Sequence, residues 1–126
     1  MFSKNLPVKR IVIAGCRDYN DYCEAKQYLD FRLSVIRKEN NIVIVSGCAS
    51  GADSIGERYA EENGFEIEKH PADWKKYGRK AGPIRNKQMA EVSDYIICFW
   101  DGKSKGTKSM IECAKNSNTP LDVKMI

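Results

Sequence analysis

The stretch IVIVSGCASGADSIGERYA, residues 42–60, decides the fold of this chain. It begins with the apolar run Ile42 to Val45, which has no polar alternation and is typical of a strand buried on both faces, as in a parallel sheet. A glycine-bearing turn follows. Beyond the turn, apolar residues recur at helical spacing: Ala52, Ile55, Tyr59 and Ala60. The stretch therefore predicts a buried strand, a turn and an amphipathic helix.

The same alternation of strand and helix extends along the chain. Apolar runs at 10–14, 65–69 and 95–100, and a weaker one at 121–123, predict four more strands. Helical spacing is found in Ala25, Leu29, Leu33 and Ile36, and again in Met110, Ile111 and Ala114. Because such units connect through right-handed crossovers, we predict an α/β fold, a Rossmann-like three-layer sandwich. Its mostly parallel five-stranded sheet has the first strand at the centre and helices on both faces.

Length and composition set the class of protein. A chain of 126 residues with 42% hydrophobic residues fits one domain, residues 1–126. The sequence shows neither an apolar run long enough to span a membrane nor the apolar stretch of a signal peptide, so we expect a cytoplasmic protein without a membrane partner. The formal charge of +4 fits a nucleic-acid binder and a protein that holds a small phosphorylated ligand equally well.

The five cysteines are odd in number and follow no CxxC or Cys/His metal spacing. This pattern predicts reduced thiols, mostly buried, instead of a disulfide framework or a zinc site. We therefore expect neither a bound metal nor a cofactor.

Two glycine turns follow the first two predicted strands, GCRD at 15–18 and SGCASGAD at 46–53. Glycine lets backbone N–H groups approach an anion, and a helix N-terminus adds about half a positive charge. Either turn alone is explained as a tight connection with Ser50 or Asp53 as a helix cap. Two such turns on neighbouring strands favour an anion site at the carboxyl edge of the sheet.

Two further segments belong to the same edge. WDGKSKGT, residues 100–107, is a glycine-rich, lysine-bearing start to the last helix. HPADWKKYGRKAGPIRNKQMAE, residues 70–91, contains the only long connection, about 71–82, followed by a helix with Pro83 near its first turn. In this segment Arg79 and Lys80 are predicted to be solvated, whereas Arg85 is suited to bidentate phosphate binding.

Three side chains near these turns each have two interpretations. His70 is either a hydrogen-bonded structural residue or a catalytic one. Trp74 and Trp100 either stack on a base or, for Trp74, anchor the long connection.

Familiar nucleotide motifs are excluded. GCRD is not the GxGxxG fingerprint, and the second strand ends in Ser46 instead of the carboxylate that holds an NAD ribose. The triplet at 102–104 is not the end of a Walker A loop, because the first glycine of that motif would fall on Ile97.

The motifs GCRDY, VSGCASGADSIGERYA, HPADW and GPIRNKQMAEVSDYIICFWDGKSKGT together resemble the SLOG superfamily (DprA/Smf and LOG related). The resemblance is strongest to its YspA-like, YpsA-related branch of small bacterial and phage proteins, and it covers about residues 8–123. It implies a Rossmann-like domain that binds nucleotides or nucleotide-derived ligands. The LOG enzymes of the superfamily hydrolyse the N-glycosidic bond of nucleoside monophosphates.

The resemblance also assigns roles to single residues. Arg85 matches the LOG arginine near the ribose and base, and Gly106-Thr107 matches the LOG phosphate loop. The LOG catalytic glutamate falls on Met110, and Glu112, two residues later, is predicted to point away from the site because two residues are about 200° of helix rotation. Cys48 stands where relatives usually have glycine.

The turns and the resemblance together predict one ligand site. Its phosphate- or ligand-binding residues are Gly15, Cys16, Arg17, Ser46, Gly47, Cys48, Ser50, Gly51, Asp53, Gly82, Arg85, Asn86, Gly102, Gly106 and Thr107. If the protein is a hydrolase, Arg85 and Asp101 are the candidate catalytic residues, and the other candidate carboxylates are Asp18, Asp53 and Glu91.

Three functions remain open from the sequence. The first is binding of a nucleotide or nucleotide-derived small molecule, as a sensor or processing protein. The second is a nucleotide N-glycosidase (phosphoribohydrolase), and the third, less favoured, is single-stranded nucleic-acid binding as in DprA. The identity of the base and the oligomeric state, a homo-oligomer included, are not determined by the sequence.

Overall fold

The computed structural model describes residues 5–126. The strands are β1 (Val8–Gly15), β2 (Asn41–Ser46), β3 (Glu66–Lys69), β4 (Tyr95–Trp100) and β5 (Leu121–Met125). The helices are α1 (Tyr22–Leu33), α2 (Ile36–Glu39), α3 (Ala52–Asn63), α4 (Trp74–Tyr77), α5 (Ala81–Val92) and α6 (Lys105–Asn116), with a 3-10 turn at Gly78–Lys80. Within this described range, no helix is both long and apolar enough to cross a membrane.

The five strands form one parallel sheet in the order β3-β2-β1-β4-β5. Ile11 of β1 pairs with Ile44 on one side and Tyr95 on the other. The predicted α/β fold, with the first strand central, is confirmed. Chain order runs outward from β1 in both directions, so a crevice is expected where β1 and β4 end side by side.

Alternate residues of β1 enter opposite layers of the core, as the pleat of a strand requires. Ile11 and Ile13 pack with Leu29 of α1 and Tyr59 of α3. On the other face, Val12 and Ala14 pack in an apolar cluster that also contains residues of α5 and α6: Met89, Ala90, Met110, Ile111 and Ala114. Helices therefore cover both faces of the sheet, as predicted.

The connection predicted at about 71–82 is not a continuous loop. Asp73 accepts a hydrogen bond from the backbone N–H of Lys76 (3.1 Å) and so caps the single turn of α4. A 3-10 turn then leads directly into α5, which begins at Ala81. Gly82 is consequently a helical residue and not a turn glycine.

The expectation that most cysteines are buried was wrong. All five thiols are free, but only Cys16 and Cys98 are buried, whereas Cys23 and Cys48 are exposed and Cys113 is intermediate. Cys23 lies on the solvent side of α1, and Cys48 lies in the turn after β2 with a φ of 64°.

The turns after β1 and β2 touch through their backbones at Gly51. The Ala52 N–H donates to the carbonyl oxygen of Cys16 (3.1 Å), and the Ser50 hydroxyl donates to that of Arg17 (3.1 Å). Gly51 has a φ of 73°, and a Cβ atom there would lie 2.3 Å from the Cys16 oxygen. Only a residue without a side chain fits this contact.

We predict that Gly51→Ala destabilises the protein far more than Gly64→Ala. Gly64 also has a positive φ (69°), but a Cβ atom there meets nothing within 4 Å. Gly64→Ala should therefore cost only the left-handed backbone strain, about 1–2 kcal/mol. Gly51→Ala adds a collision between two backbones and should cost at least about 2 kcal/mol more. Denaturant unfolding of both variants measures the difference, and equal losses would show that the two turns separate at no cost.

Candidate functional site

A cleft of about 750 Å³ opens at the carboxyl ends of β1 and β4, between the first turns of α5 and α6. Most of the predicted site residues line it: Gly15, Cys16, Arg17, Asp53, Gly82, Arg85, Asn86, Asp101, Gly106 and Thr107. The parallel sheet thus brings together residues that are far apart in the sequence, because all its strands end at the same edge.

The remaining predicted residues lie outside this cleft. Gly47, Cys48 and Ser50 line a smaller adjoining pocket of about 380 Å³. Three others line neither pocket: Ser46, Gly51 and Gly102. The hydroxyl of Ser46 donates to Glu57 (2.6 Å) and accepts from the N–H of Cys48 (3.1 Å), so this side chain supports the turn.

Arg85 is buried, with 8% of its surface exposed. One edge of its guanidinium group, Nε and Nη1, donates hydrogen bonds to other residues of the protein. Nε donates to Asn86 (3.0 Å), and Nη1 donates to the carbonyl oxygens of Gly47 and His70. Nη2 makes no hydrogen bond to any residue between 5 and 126. The side chain therefore ties α5 to the turn after β2, and its Nη2 stays available as a donor within the described residues.

The charge of Arg85 is not neutralised by an ion pair within the described part of the chain. Burial lowers the pKa of its guanidinium, Asp53 opposes this shift, and the nearby Arg17 adds to it. An arginine remains charged despite such a shift. A partly desolvated positive charge with a free donor is suited to hold a phosphate.

Arg17 supplies a second cation at the mouth of the cleft. It is exposed, and its guanidinium carbon lies 5.9 Å from the centroid of the Trp74 ring, a cation–π arrangement. No carboxylate of residues 5–126 lies within ion-pair distance of it. Trp74 itself is 50% exposed and therefore offers a ring face to solvent or ligand.

Asp53 is the buried carboxylate of the site, with 6% of its surface exposed. Its Oδ2 accepts from the N–H of Ala49 (3.1 Å). Burial raises the pKa of this carboxyl group, although the Ala49 hydrogen bond and Arg85 oppose the shift. A Cβ atom on Gly47 would lie within 3 Å of both Arg85 and Asp53, so the two charged groups close around this glycine.

Asp101 behaves differently because it is exposed and caps a turn. Its Oδ1 accepts from the N–H groups of Lys103 and Ser104, both at 2.8 Å, and these bonds hold its pKa below the ordinary value. Ser104 in turn caps α6, and the indole N–H of Trp100 donates to the Ser104 carbonyl (3.1 Å). This tie engages the polar edge of Trp100 in the same turn.

The other candidate residues are distributed as follows. Met110 lines the cleft at the position of the LOG glutamate, whereas Glu112 is exposed and does not line it, as predicted. Asp18 lines the cleft and Glu91 does not. His70 Nε2 lies 2.7 Å from Glu68, in agreement with a structural histidine, and it lines neither pocket.

The sequence analysis missed several residues that line the cleft, among them Ser104, Lys105 and Ser109. Asn86 Nδ2 donates to the Ser109 hydroxyl (3.3 Å) and so joins α5 to α6. Lys105 and Ser109 are four residues apart on α6, and helical spacing counted from Lys105 would have placed them on one face. Among residues 5–126, no three His, Cys, Asp or Glu side chains are grouped closely enough to hold a metal ion.

Comparison with known proteins finds a matching family and a relative of similar sequence. Residues 9–77 match the YspA, cpYpsA-related SLOG family (YAcAr). The chain is 33% identical over 120 residues to the Gene 61 protein of Mycobacterium phage D29. The match covers 90% of this chain and 94% of the phage protein.

Two solved structures share the fold. DprA of Streptococcus pneumoniae is 19% identical with a TM-score of 0.67, covering 94% of this chain and 50% of that one. DNA processing protein A of Helicobacter pylori, a structure described for its single-stranded DNA binding mode, is 24% identical with a TM-score of 0.64. That match covers 94% of this chain and 66% of the other. This chain thus spans only part of either DprA chain, and the likeness confirms the Rossmann-like architecture.

We predict that Asp53→Asn raises the stability of the protein at pH 7. Because burial raises the folded-state pKa of Asp53, the folded protein holds this proton more tightly than the unfolded chain. The resulting stability is present at acid pH and is lost as pH rises through the folded-state pKa. Asparagine removes the cost of the buried charge and still accepts from Ala49.

Thermal melts at pH 7 and at about pH 4, close to the unfolded-state pKa of aspartate, test this prediction. The gain from Asp53→Asn should shrink at the lower pH, and Asp18→Asn, at an exposed aspartate of the same cleft, should give a smaller change at pH 7. Lower stability of Asp53→Asn at pH 7 would mean that attraction to Arg85 outweighs the cost of burial.

Proposed function

The chain belongs to the YspA, cpYpsA-related SLOG family, and from this premise we propose that it binds a phosphate-bearing nucleotide in the cleft between α5 and α6. The observation that carries the proposal is the pair of guanidinium groups at the cleft. Arg17 and Arg85 both line it, neither has an ion-pair partner within residues 5–126, and Arg85 retains Nη2 as a free donor.

Other parts of the cleft suit the rest of such a ligand. The first turn of α6, which contains Gly106 and Thr107, lies at the opposite wall, where the positive end of the helix favours a phosphate. The N–H of Thr107 itself donates to the capping hydroxyl of Ser104 (3.4 Å). The half-exposed ring of Trp74 provides a face on which a base stacks. The volume of about 750 Å³ lies within the range of small-molecule sites.

Hydrolysis of an N-glycosidic bond is a second candidate, and one observation favours it. Asp53 is a carboxyl group at the cleft whose pKa is raised by burial, a property of general acids and bases. Asp101 suits this role less well because its pKa is lowered and two backbone N–H groups occupy its Oδ1. Release of free base from nucleoside monophosphates by the wild type, and its loss in Asp53→Asn, would establish the activity.

Single-stranded DNA is an alternative occupant, motivated by the single-stranded DNA binding of Helicobacter pylori DNA processing protein A and by the exposed pair of Arg17 and Trp74. A chain of nucleotides would use the same cation and the same ring. Titration with oligonucleotides beside nucleotides separates the two ligands, because a strand-binding surface gains affinity with strand length.

We predict that Arg17→Ala weakens nucleoside-monophosphate binding at least about tenfold, equivalent to roughly 1.4 kcal/mol. The reason is the loss of a charge-assisted bond to phosphate. Arg79→Ala is the matched control, since Arg79 is exposed in the 3-10 turn and lines neither pocket. Calorimetric titration with nucleoside mono- and diphosphates measures both variants.

Arg85→Ala should weaken binding as well, but it also removes the bonds to Gly47 and His70, so a lower melting temperature is expected with it. Arg17→Ala separates binding from folding, because the Arg17 guanidinium makes no hydrogen bond to residues 5–126 and contacts only the exposed ring of Trp74 at 5.9 Å, so the melting temperature should stay close to that of the wild type. Equal losses of affinity in Arg17→Ala and Arg79→Ala would indicate diffuse electrostatics instead of a site.

A further inference from the structure

The cleft is one half of a two-part cavity. A smaller pocket of about 380 Å³ adjoins it, and four residues line both: Arg17, Ala49, Trp74 and Arg85. These shared residues form a common wall between the two spaces. Both spaces exceed roughly 300 Å³, the lower end of the volumes found for ligand pockets.

The positive charge of the smaller pocket is confined to the common wall. Its other lining residues are uncharged: Gly47, Cys48, Ser50, Pro71 and Ala72. The two guanidinium groups therefore stand between an uncharged pocket on one side and the larger cleft on the other. An anionic group is stabilised best at the wall, and uncharged parts of a ligand fit beside it.

Hydrogen bonds of the turn after β2 hold one side of the smaller pocket in place. Arg85 Nη1 bonds to the Gly47 carbonyl, and the Cys48 N–H bonds to the Ser46 hydroxyl (3.1 Å). Cys48 holds a φ of 64°, in the left-handed region that favours glycine, and its side chain lines the pocket. A turn held by these bonds gives the small pocket a definite shape before any ligand binds.

We propose that the ligand is a phosphate-linked dinucleoside. Its phosphodiester or pyrophosphate lies at the common wall on Arg17 and Arg85, with one nucleoside in the cleft and the other in the smaller pocket. The proposal rests on the proposed function and extends it, because a mononucleotide occupies only one of the two spaces. Trp74, which lines both, is placed to stack on either base.

Calorimetric titration tests this with three sets of probes: the common nucleoside 5′-monophosphates, the nucleoside diphosphates, and dinucleosides joined by one phosphate or by a pyrophosphate. At least one dinucleoside should bind ten times or more tightly than the corresponding mono- and diphosphate. The mono- and diphosphates carry more negative charge than the corresponding dinucleosides, because a terminal phosphate bears a second ionisable oxygen, so a gain in affinity cannot come from charge and reports the second nucleoside.

Two substitutions that each fill one of the two spaces show which space produces the gain in dinucleoside affinity. Ala72→Leu adds bulk to the smaller pocket alone, so it should abolish the gain and leave monophosphate affinity within about twofold, a shift of roughly 0.4 kcal/mol. Ser109→Leu adds bulk to the cleft alone, so it should weaken mono- and dinucleosides together. Thermal melts confirm that both variants fold.

The outcomes separate this inference from the proposed function. Monophosphates that bind as tightly as every dinucleoside would overturn the inference and leave nucleotide binding intact. Absence of binding by every mono- and dinucleoside would overturn both. Affinity that keeps rising from dinucleotides to longer single-stranded DNA would replace the two-nucleoside ligand with a strand.

Discussion

The contact on which the site depends is the approach of two backbones, where the turn after β2 meets the turn after β1. Gly51 permits it by having no side chain, and the Ala52 N–H and the Ser50 hydroxyl bond to the carbonyls of Cys16 and Arg17. These bonds set the position of Arg17 relative to α3. The place of the Arg17 backbone at the cleft thus depends on a glycine that does not itself line the cleft.

A second constraint acts through charge. Arg85 and Asp53 close around Gly47 from two sides, and each also bonds to backbone of the turn after β2. Burial of opposite charges costs free energy, and the backbone bonds offset part of it. The arrangement is explained if the turn must be held still while Arg85 keeps one donor group available. Positioning of the turn and recognition of an anion then depend on the same side chain.

The fold was predictable from the sequence because apolar runs such as Ile42 to Val45 and helical spacing such as that of 52–60 are local and strong. The location of the cleft, at the carboxyl edge of the sheet, could then be predicted from the fold.

Other features could not be predicted from the sequence. The single turn of α4 is too short to show a period, and the exposure of Cys23 and Cys48 depends on tertiary structure. Which donors of Arg85 bond inside the protein and which stay available depends on distances of a few ångströms, and no spacing rule in the sequence specifies them.

The parallel order β3-β2-β1-β4-β5 also bears on how the chain folds. The cleft residues Arg17, Asp53, Arg85 and Asp101 come after four different strands, β1, β2, β3 and β4, and β1 pairs with β4 across about eighty residues of chain. No short segment contains the cleft, so the cleft exists only when the central strands have paired. Such long-range pairing is slow to form. Because the cleft exists only in the folded sheet, a molecule bound there would stabilise the whole sheet against unfolding. Amide exchange in the core strands would then slow along with exchange at the cleft.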